Sequence, residues 1–174
     1  EAENMDVSVQ GILEARHSVY RHLQPTPMIR YPLLDRLLGC QVYVKHENHN
    51  PTGSFTIRGG IHLISHLSDE ERRRGLITAT RGNHGQSIAQ ACRIFGARAY
   101  IVLPEGANPL KVAALRLLGA DVIFHGDNFD EARAHCDRLA REEGYRFVHP
   151  ANEPLLIAGV ATQTLEVIED MPDV

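Results

Sequence analysis

Nothing in the 174 residues approaches the run of about 18 apolar residues that a bilayer-crossing helix needs. The first residues, Glu1-Ala2-Glu3-Asn4, lack the basic-then-apolar order of a signal peptide, so the expected compartment is the cytoplasm and no membrane partner is expected. Positive charge is also scarce: 18 Lys and Arg face 22 Asp and Glu, for a net charge of −4. The one basic triplet, Arg72-Arg73-Arg74, adjoins Asp69, Glu70 and Glu71 and reads as a solvated helix face, so nucleic acid is not an expected partner. Cysteine is limited to Cys40, Cys92 and Cys136, odd in number and never spaced as Cys-x-x-Cys. That excludes a disulfide framework and a zinc site built on cysteines, and predicts three buried, reduced thiols.

What remains is an ordinary globular composition, 43% hydrophobic and 23% charged, enough for one domain or a small two-lobed unit that folds by burial. From Leu76 onward a repeating join appears. Gly96 before Ala99-Tyr100-Ile101-Val102-Leu103, Gly119 before Asp121-Val122-Ile123-Phe124, and Gly144 before Tyr145-Arg146-Phe147-Val148 each close a helical pattern and open an apolar run. Glycine suits the left-handed position after a helix, and such runs suit strands covered on both faces. Between them, Phe129, Ala132, Cys136, Leu139 and Ala140 follow helical spacing behind Asn128 as cap with Glu131, and Val112, Leu115 and Leu118 mark a helix over about 108–118. The segment 76–149 is therefore predicted to be a three-layer α/β unit, a parallel sheet with flanking helices.

The front of the chain is less regular. A helical pattern near 8–23 carries Val9, Ile12, Leu13, Val19 and Tyr20, then breaks at Gln24-Pro25-Thr26-Pro27. Gln41-Val42-Tyr43-Val44-Lys45 alternates like a short strand. Ser54 is the expected N-cap of a helix reaching about Leu67, and Ser68 with Glu71 caps a short one after it.

Arg81-Gly82-Asn83-His84-Gly85 follows the predicted strand Leu76–Thr80 and opens the helix carrying Ile88, Ala89, Cys92 and Phe95. Ligands bind at the carboxyl ends of parallel strands, and a helix N-terminus offers free N–H groups to anions. The flanking glycines permit close backbone approach to a ligand, and equally a plain tight turn. His62 and His66, four apart on a predicted helix, have zinc-compatible spacing but no His-Glu-x-x-His context. His46 and His49 read as loop-orienting residues, and Ser54 and Ser87 have no evident base beside them in sequence.

Pro51-Thr52-Gly53-Ser54-Phe55-Thr56-Ile57-Arg58-Gly59 resembles the Pro-Thr-Gly-Ser-Phe-Lys-x-Arg-Gly motif of fold-type II pyridoxal-phosphate enzymes, the threonine/serine dehydratase and serine racemase group. Thr80-Arg81-Gly82-Asn83-His84 resembles that family's Ser-x-Gly-Asn-His loop, Val102–Val112 its V-x-P-x-x-x-P-x-x-K-V stretch, and Asn152–Gly159 its return into the large domain. The resemblance covers essentially the whole chain. It implies residues 1–50 as the edge of a large domain, 51–150 as a small α/β domain, and 151–174 as a returning helix. It also implies a pyridoxal phosphate cofactor contacted by Phe55 and Asn83, and an amino acid whose carboxylate is cradled by Thr80, Gly82 and His84.

Three departures qualify these implications. Residue 56, the family's Schiff-base lysine, is Thr56, whose hydroxyl can form no imine and supplies no ε-amine base. Arg81 stands where relatives carry a small residue or the racemase's second base; it cannot be a general base, and either forks onto a carboxylate or phosphate or points to solvent. Family catalytic chains are longer, and their glycine-rich phosphate loop has no counterpart in residues 1–174. The expectation is a dehydratase-like chain inactive as written, or a non-catalytic amino-acid-binding or regulatory module. The partner would be a second copy or a complementary C-terminal chain, and a generic anion-binding α/β domain stands as the third reading.

Overall fold

The computed structural model describes residues 7–173. The leader reading at Glu1–Asn4 and the outermost ends of the first and last segments lie outside them.

The parallel sheet forms as the glycine joins predict. Strands β3 (Leu76–Ala79), β4 (Ala99–Leu103), β5 (Asp121–Phe124) and β6 (Arg146–Phe147) align in the order β5-β4-β3-β6, all parallel, with Leu76 opposite both Ala99 and Arg146. Gly96, Gly119 and Gly144 take φ of 69°, 84° and 74°, the left-handed conformation that lets each preceding helix stop and the chain turn into the next strand. Successive strand residues point to opposite faces. Leu76, Ala99, Ile101 and Leu103 join the core beneath α5 (Asn83–Phe95) and α6 (Pro109–Leu117), while Ile77, Ala79 and Val102 pack with Ala132 and Cys136 of α7 (Phe129–Glu143). Burying β3 on both faces is what its uninterrupted apolar run requires.

The caps form with one change of partner. Asn128 accepts from the N–H groups of Asp130 and Glu131, but the Glu131 carboxylate reaches back to Asn128 Nδ2 and the Asp127 N–H. Ser68 and Glu71 make a complete capping box on α4 (Asp69–Arg74).

The front of the chain contains α1 (Val9–Val19), β1 (Met28–Arg30), α2 (Pro32–Leu38), β2 (Tyr43–Lys45) and α3 (Thr56–Ser65), with β1 antiparallel to β2. Four expectations are corrected. Ala15 and Val19 form the buried stripe of α1, whereas Val9 and Leu13 face solvent. Phe55 is already helical in φ and ψ and occupies the N-cap of α3, so Ser54 sits one residue early, its Oγ 3.3 Å from the Thr56 N–H. That helix stops at Ser65, short of Leu67. Cys40 is exposed just past Gly39, which turns the chain out of α2, while Cys92 and Cys136 are buried thiols pushed up to about 12 by burial.

Helix α8 (Pro154–Asp170) returns across α3 at backbone contact. A Cβ on Gly159 would stand 2.6 Å from the Arg58 carbonyl oxygen, and one on Gly59 2.7 Å from that of Leu156, so only glycine permits this crossing. It carries a buried polar node. Arg58, 0% exposed, donates from Nε and Nη2 to Glu47 at 2.8 Å each, and from Nη1 to Glu166 at 2.5 Å and Thr162 at 3.2 Å. Lys45 (2.5 Å) and the Tyr20 hydroxyl (2.5 Å) complete Glu166. Every charge in the node has a partner, the condition on which buried ions are tolerated.

Candidate active site

Helices α3 and α5 start side by side. Thr56, in the first turn of α3, donates from Oγ1 to the Asn83 carbonyl oxygen (3.3 Å) and lies 3.1 Å from Ser54 Oγ, while Ser87 Oγ donates to the Thr56 carbonyl oxygen (2.6 Å). The approach depends on Gly60, where a Cβ would meet Ser87 Oγ at 2.5 Å. Contacts spanning 27 and 31 residues of chain thereby bring the two motifs into one hydrogen-bonded patch.

The loop from β3 to α5 is held from below. Thr80 Oγ1 accepts the Gly82 N–H at 3.0 Å, and Gly82 serves as N-cap without a side chain to occupy the first-turn N–H groups of α5. Those donors are left for solvent or an anion. His84 turns under the loop, its Nε2 3.1 Å from Thr78 Oγ1. Because the Thr78 hydroxyl donates to the Val148 carbonyl oxygen (2.8 Å), Nε2 carries the proton in this pair. Burial, with His149 nearby, lowers the His84 pKa to about 4, so the ring is neutral at pH 7.

Arg81 is exposed; its guanidinium lies 5.0 Å from the Phe129 ring centroid, and its carbonyl oxygen accepts Lys111 Nζ at 2.9 Å. Phe55 and Asn83 are exposed at the rim. A cavity of about 200 Å³ opens beside Thr80, Arg81 and Gly82, walled by Leu103, Pro104 and Leu115 and bordered by Lys111. A wider cleft of about 770 Å³ between β2 and the end of α8 contains none of the motif residues. The structure thus gathers Thr56, Thr80, Gly82, Asn83 and His84, with Arg81 and Phe55 at the edge.

Sequence reasoning missed Lys111 as a cavity residue and the Arg58 node altogether. The signal for Arg58 was present, as a lone charge within the apolar Ile57–Ile61 turn. His62 is buried, lowered to about 4 by burial and then by His66, and accepts or donates at Ser18 (2.7 Å). Among the described residues no group of three or more His, Cys, Asp or Glu side chains is placed to hold a metal, and no helix is long and apolar enough to cross a membrane.

Residues 19–174 match the family described as pyridoxal-phosphate dependent enzymes. The chain belongs to that family. The family resembles this chain well beyond its motifs: the L-threonine ammonia-lyase of Thermotoga maritima is 43% identical over 97% of this chain and 42% of its own length. The catabolic L-threonine dehydratase of Escherichia coli (strain K12) is 35% identical over 98% of this chain and 52% of its own. Among solved structures, maize serine racemase superposes with a TM-score of 0.92 at 28% identity, over 97% of this chain and 51% of that one. Threonine deaminase isoform 2 of Solanum lycopersicum superposes at 0.89 and 34%, over 95% and 46%. The chain spans about half the length of these relatives.

The residues present fit the family's cofactor only in part. Thr52 Oγ1, within the motif, is buried without a hydrogen-bond partner among the described residues, the kind of unspent group a ligand completes. An imine needs an amine, and residue 56 supplies instead a hydroxyl engaged with Ser54 and Asn83.

Proposed function

We propose that this chain holds a small amino acid by its carboxylate at the uncapped start of α5, on the scaffold of a threonine/serine dehydratase, and does not turn it over. The observation that carries the reading is Thr56. It occupies the motif's lysine position, within hydrogen-bond reach of the Asn83 carbonyl oxygen, and offers no amine to attach the cofactor or to take a proton from the substrate's α-carbon.

In this reading Thr80 shapes the cradle through Gly82, and His84 stays neutral beneath it as a fixed support. Asn83 and Phe55 form the rim that would face a cofactor ring. Residues 1–50 and 151–174 belong to the large domain and 51–150 to the small one, with α3 bridging the two. The partner that completes the site is a second copy or a complementary C-terminal chain. β-Elimination of a hydroxy-amino acid to a 2-oxo acid and ammonia is the chemistry of the scaffold when residue 56 is lysine.

The test is Thr56→Lys. Incubated with pyridoxal phosphate and then borohydride, the variant acquires a covalent adduct at residue 56 and the parent chain does not. An adduct on residue 56 of the parent, or failure of the parent to bind any small amino acid in an isotope-labelled titration, refutes the proposal. Ammonia release by the variant supplied with a complementary half favours a dehydratase origin; amino-acid binding without release favours the binding module.

A further inference from the structure

The cavity beside the loop carries positive charge that no acidic side chain among the described residues balances. Arg81 and Lys111 border it, and among the described residues no Asp or Glu does. Among the described residues neither cation takes part in an ion pair. Lys111 spends one N–H on the Arg81 carbonyl oxygen and stands 3.6 Å from where a Gly82 side chain would begin, so its ammonium hangs over the loop with two protons unspent. The Arg81 guanidinium rests on the Phe129 ring and makes no hydrogen bond among the described residues. A cation on an aromatic face is held weakly beside one forked onto a carboxylate or phosphate. Helices α5 and α6 both begin at this cavity, adding their positive ends to the same region. Leu103, Pro104 and Leu115 wall it, which strengthens any charge contact made there.

We propose that this cavity is a subsite for a second negative charge on the bound amino acid. Its ligands are then small amino acids whose side chain carries a carboxylate or a phosphate ester, preferred over serine or threonine themselves. The inference rests on the reading of residues 80–84 as the carboxylate cradle and adds to it a substrate class. The volume, about 200 Å³, suits a side chain of a few heavy atoms and is below the range for drug-sized ligands. Arg81 leaves Phe129 and Lys111 pivots from its backbone contact to meet the added anion, an exchange in which no buried group loses its partner.

The experiment titrates the isotope-labelled 174-residue chain at low salt with serine, O-phosphoserine, 3-hydroxyaspartate and inorganic phosphate, following the amides of Gly82, Asn83 and Lys111. At least one of the two acidic amino acids binds roughly tenfold or more tightly than serine, the gain expected of a charge-assisted contact. Which of them binds tighter identifies the anion as carboxylate or phosphate. The acidic-to-serine affinity ratio falls toward one in Arg81→Ala and in Lys111→Gln, and it also falls as salt is raised. Serine binding as tightly as both acidic ligands overturns the subsite and leaves the cradle standing. Inorganic phosphate binding as tightly as O-phosphoserine overturns it too, since the cavity would then read a bare anion. If no amino acid binds, the cradle reading and this inference fall together.

Discussion

Replacing Arg58 by methionine removes the centre of the buried node while keeping most of its volume. Four hydrogen bonds disappear, and the two carboxylates fare differently. Glu166 keeps Lys45, the Tyr20 hydroxyl and the Thr26 N–H, whereas Glu47 loses its cation and keeps the Thr26 hydroxyl and Asn50 amide. Breaking a buried pair costs about 3–5 kcal/mol, and the surviving Lys45 contact places this case toward the lower figure. For a chain of this length that is a fall of roughly 6–20 °C in melting temperature. The cost also depends on pH. Burial raises the Glu166 carboxyl, but bonds from Arg58, Lys45 and Tyr20 outweigh it and hold its pKa below the ordinary 4.5. A lowered acid contributes stability that is present above pH 4.5 and lost as pH falls through the folded-state value. In the variant burial acts with less opposition, so that contribution shrinks. Urea unfolding followed by circular dichroism should show the full penalty at pH 7 and a smaller one near pH 4. Combining the change with Glu166→Gln should give less than the sum of the single effects by about 1 kcal/mol or more. A penalty under about 1 kcal/mol at pH 7, or one indifferent to pH, would refute the reasoning.

Gly159→Ala should destabilise by about 1–3 kcal/mol or more, because its Cβ overlaps the Arg58 carbonyl oxygen, Gly59 Cα and His62 Cβ; calorimetric melting checks this. His84 and His62 should stay neutral from pH 7 down to about pH 5 and titrate near 4 in imidazole-resolved spectra. Their lowered values mean stability that is whole above 6.5 and falls as pH drops toward 4, by up to about 1.4 kcal/mol per pH unit for each ring. A His84 resonance that titrates near 6.5 in the folded chain would contradict its burial under the loop.

The sheet was legible because its punctuation is local. Gly96, Gly119 and Gly144 lie next to the strands they introduce, and Asn128 and Ser68 lie within three residues of the groups they cap. The motif loops were legible through family resemblance, and the geometry added what spacing could not, namely that Thr56 touches Asn83. What escaped is long-range or weakly patterned. Arg58 pairs with Glu166 across 108 residues, and no window of sequence contains both. Strand β1, three residues long, is too short for a period to show, whereas the alternation over Gln41–Lys45 does announce β2. Val9 and Leu13 fit a helical stripe yet face solvent, since a stripe names a face without saying whether anything covers it. Cys40 follows the same logic: cysteine's preference for the interior yields at a turn.

The Gly59–Gly159 crossing also sets an order of events. Strands β3, β4 and β5 pair in the order in which they are made and can assemble early with α5 against α3, but the face of α3 that carries Gly59 has no cover until α8 has been made. While the chain emerges from the ribosome, Thr56 can meet Asn83 and Ser87, and Arg58 can meet Glu47, before Glu166 arrives to complete the node, so the side of α3 that faces α5 is fixed before the side that faces α8.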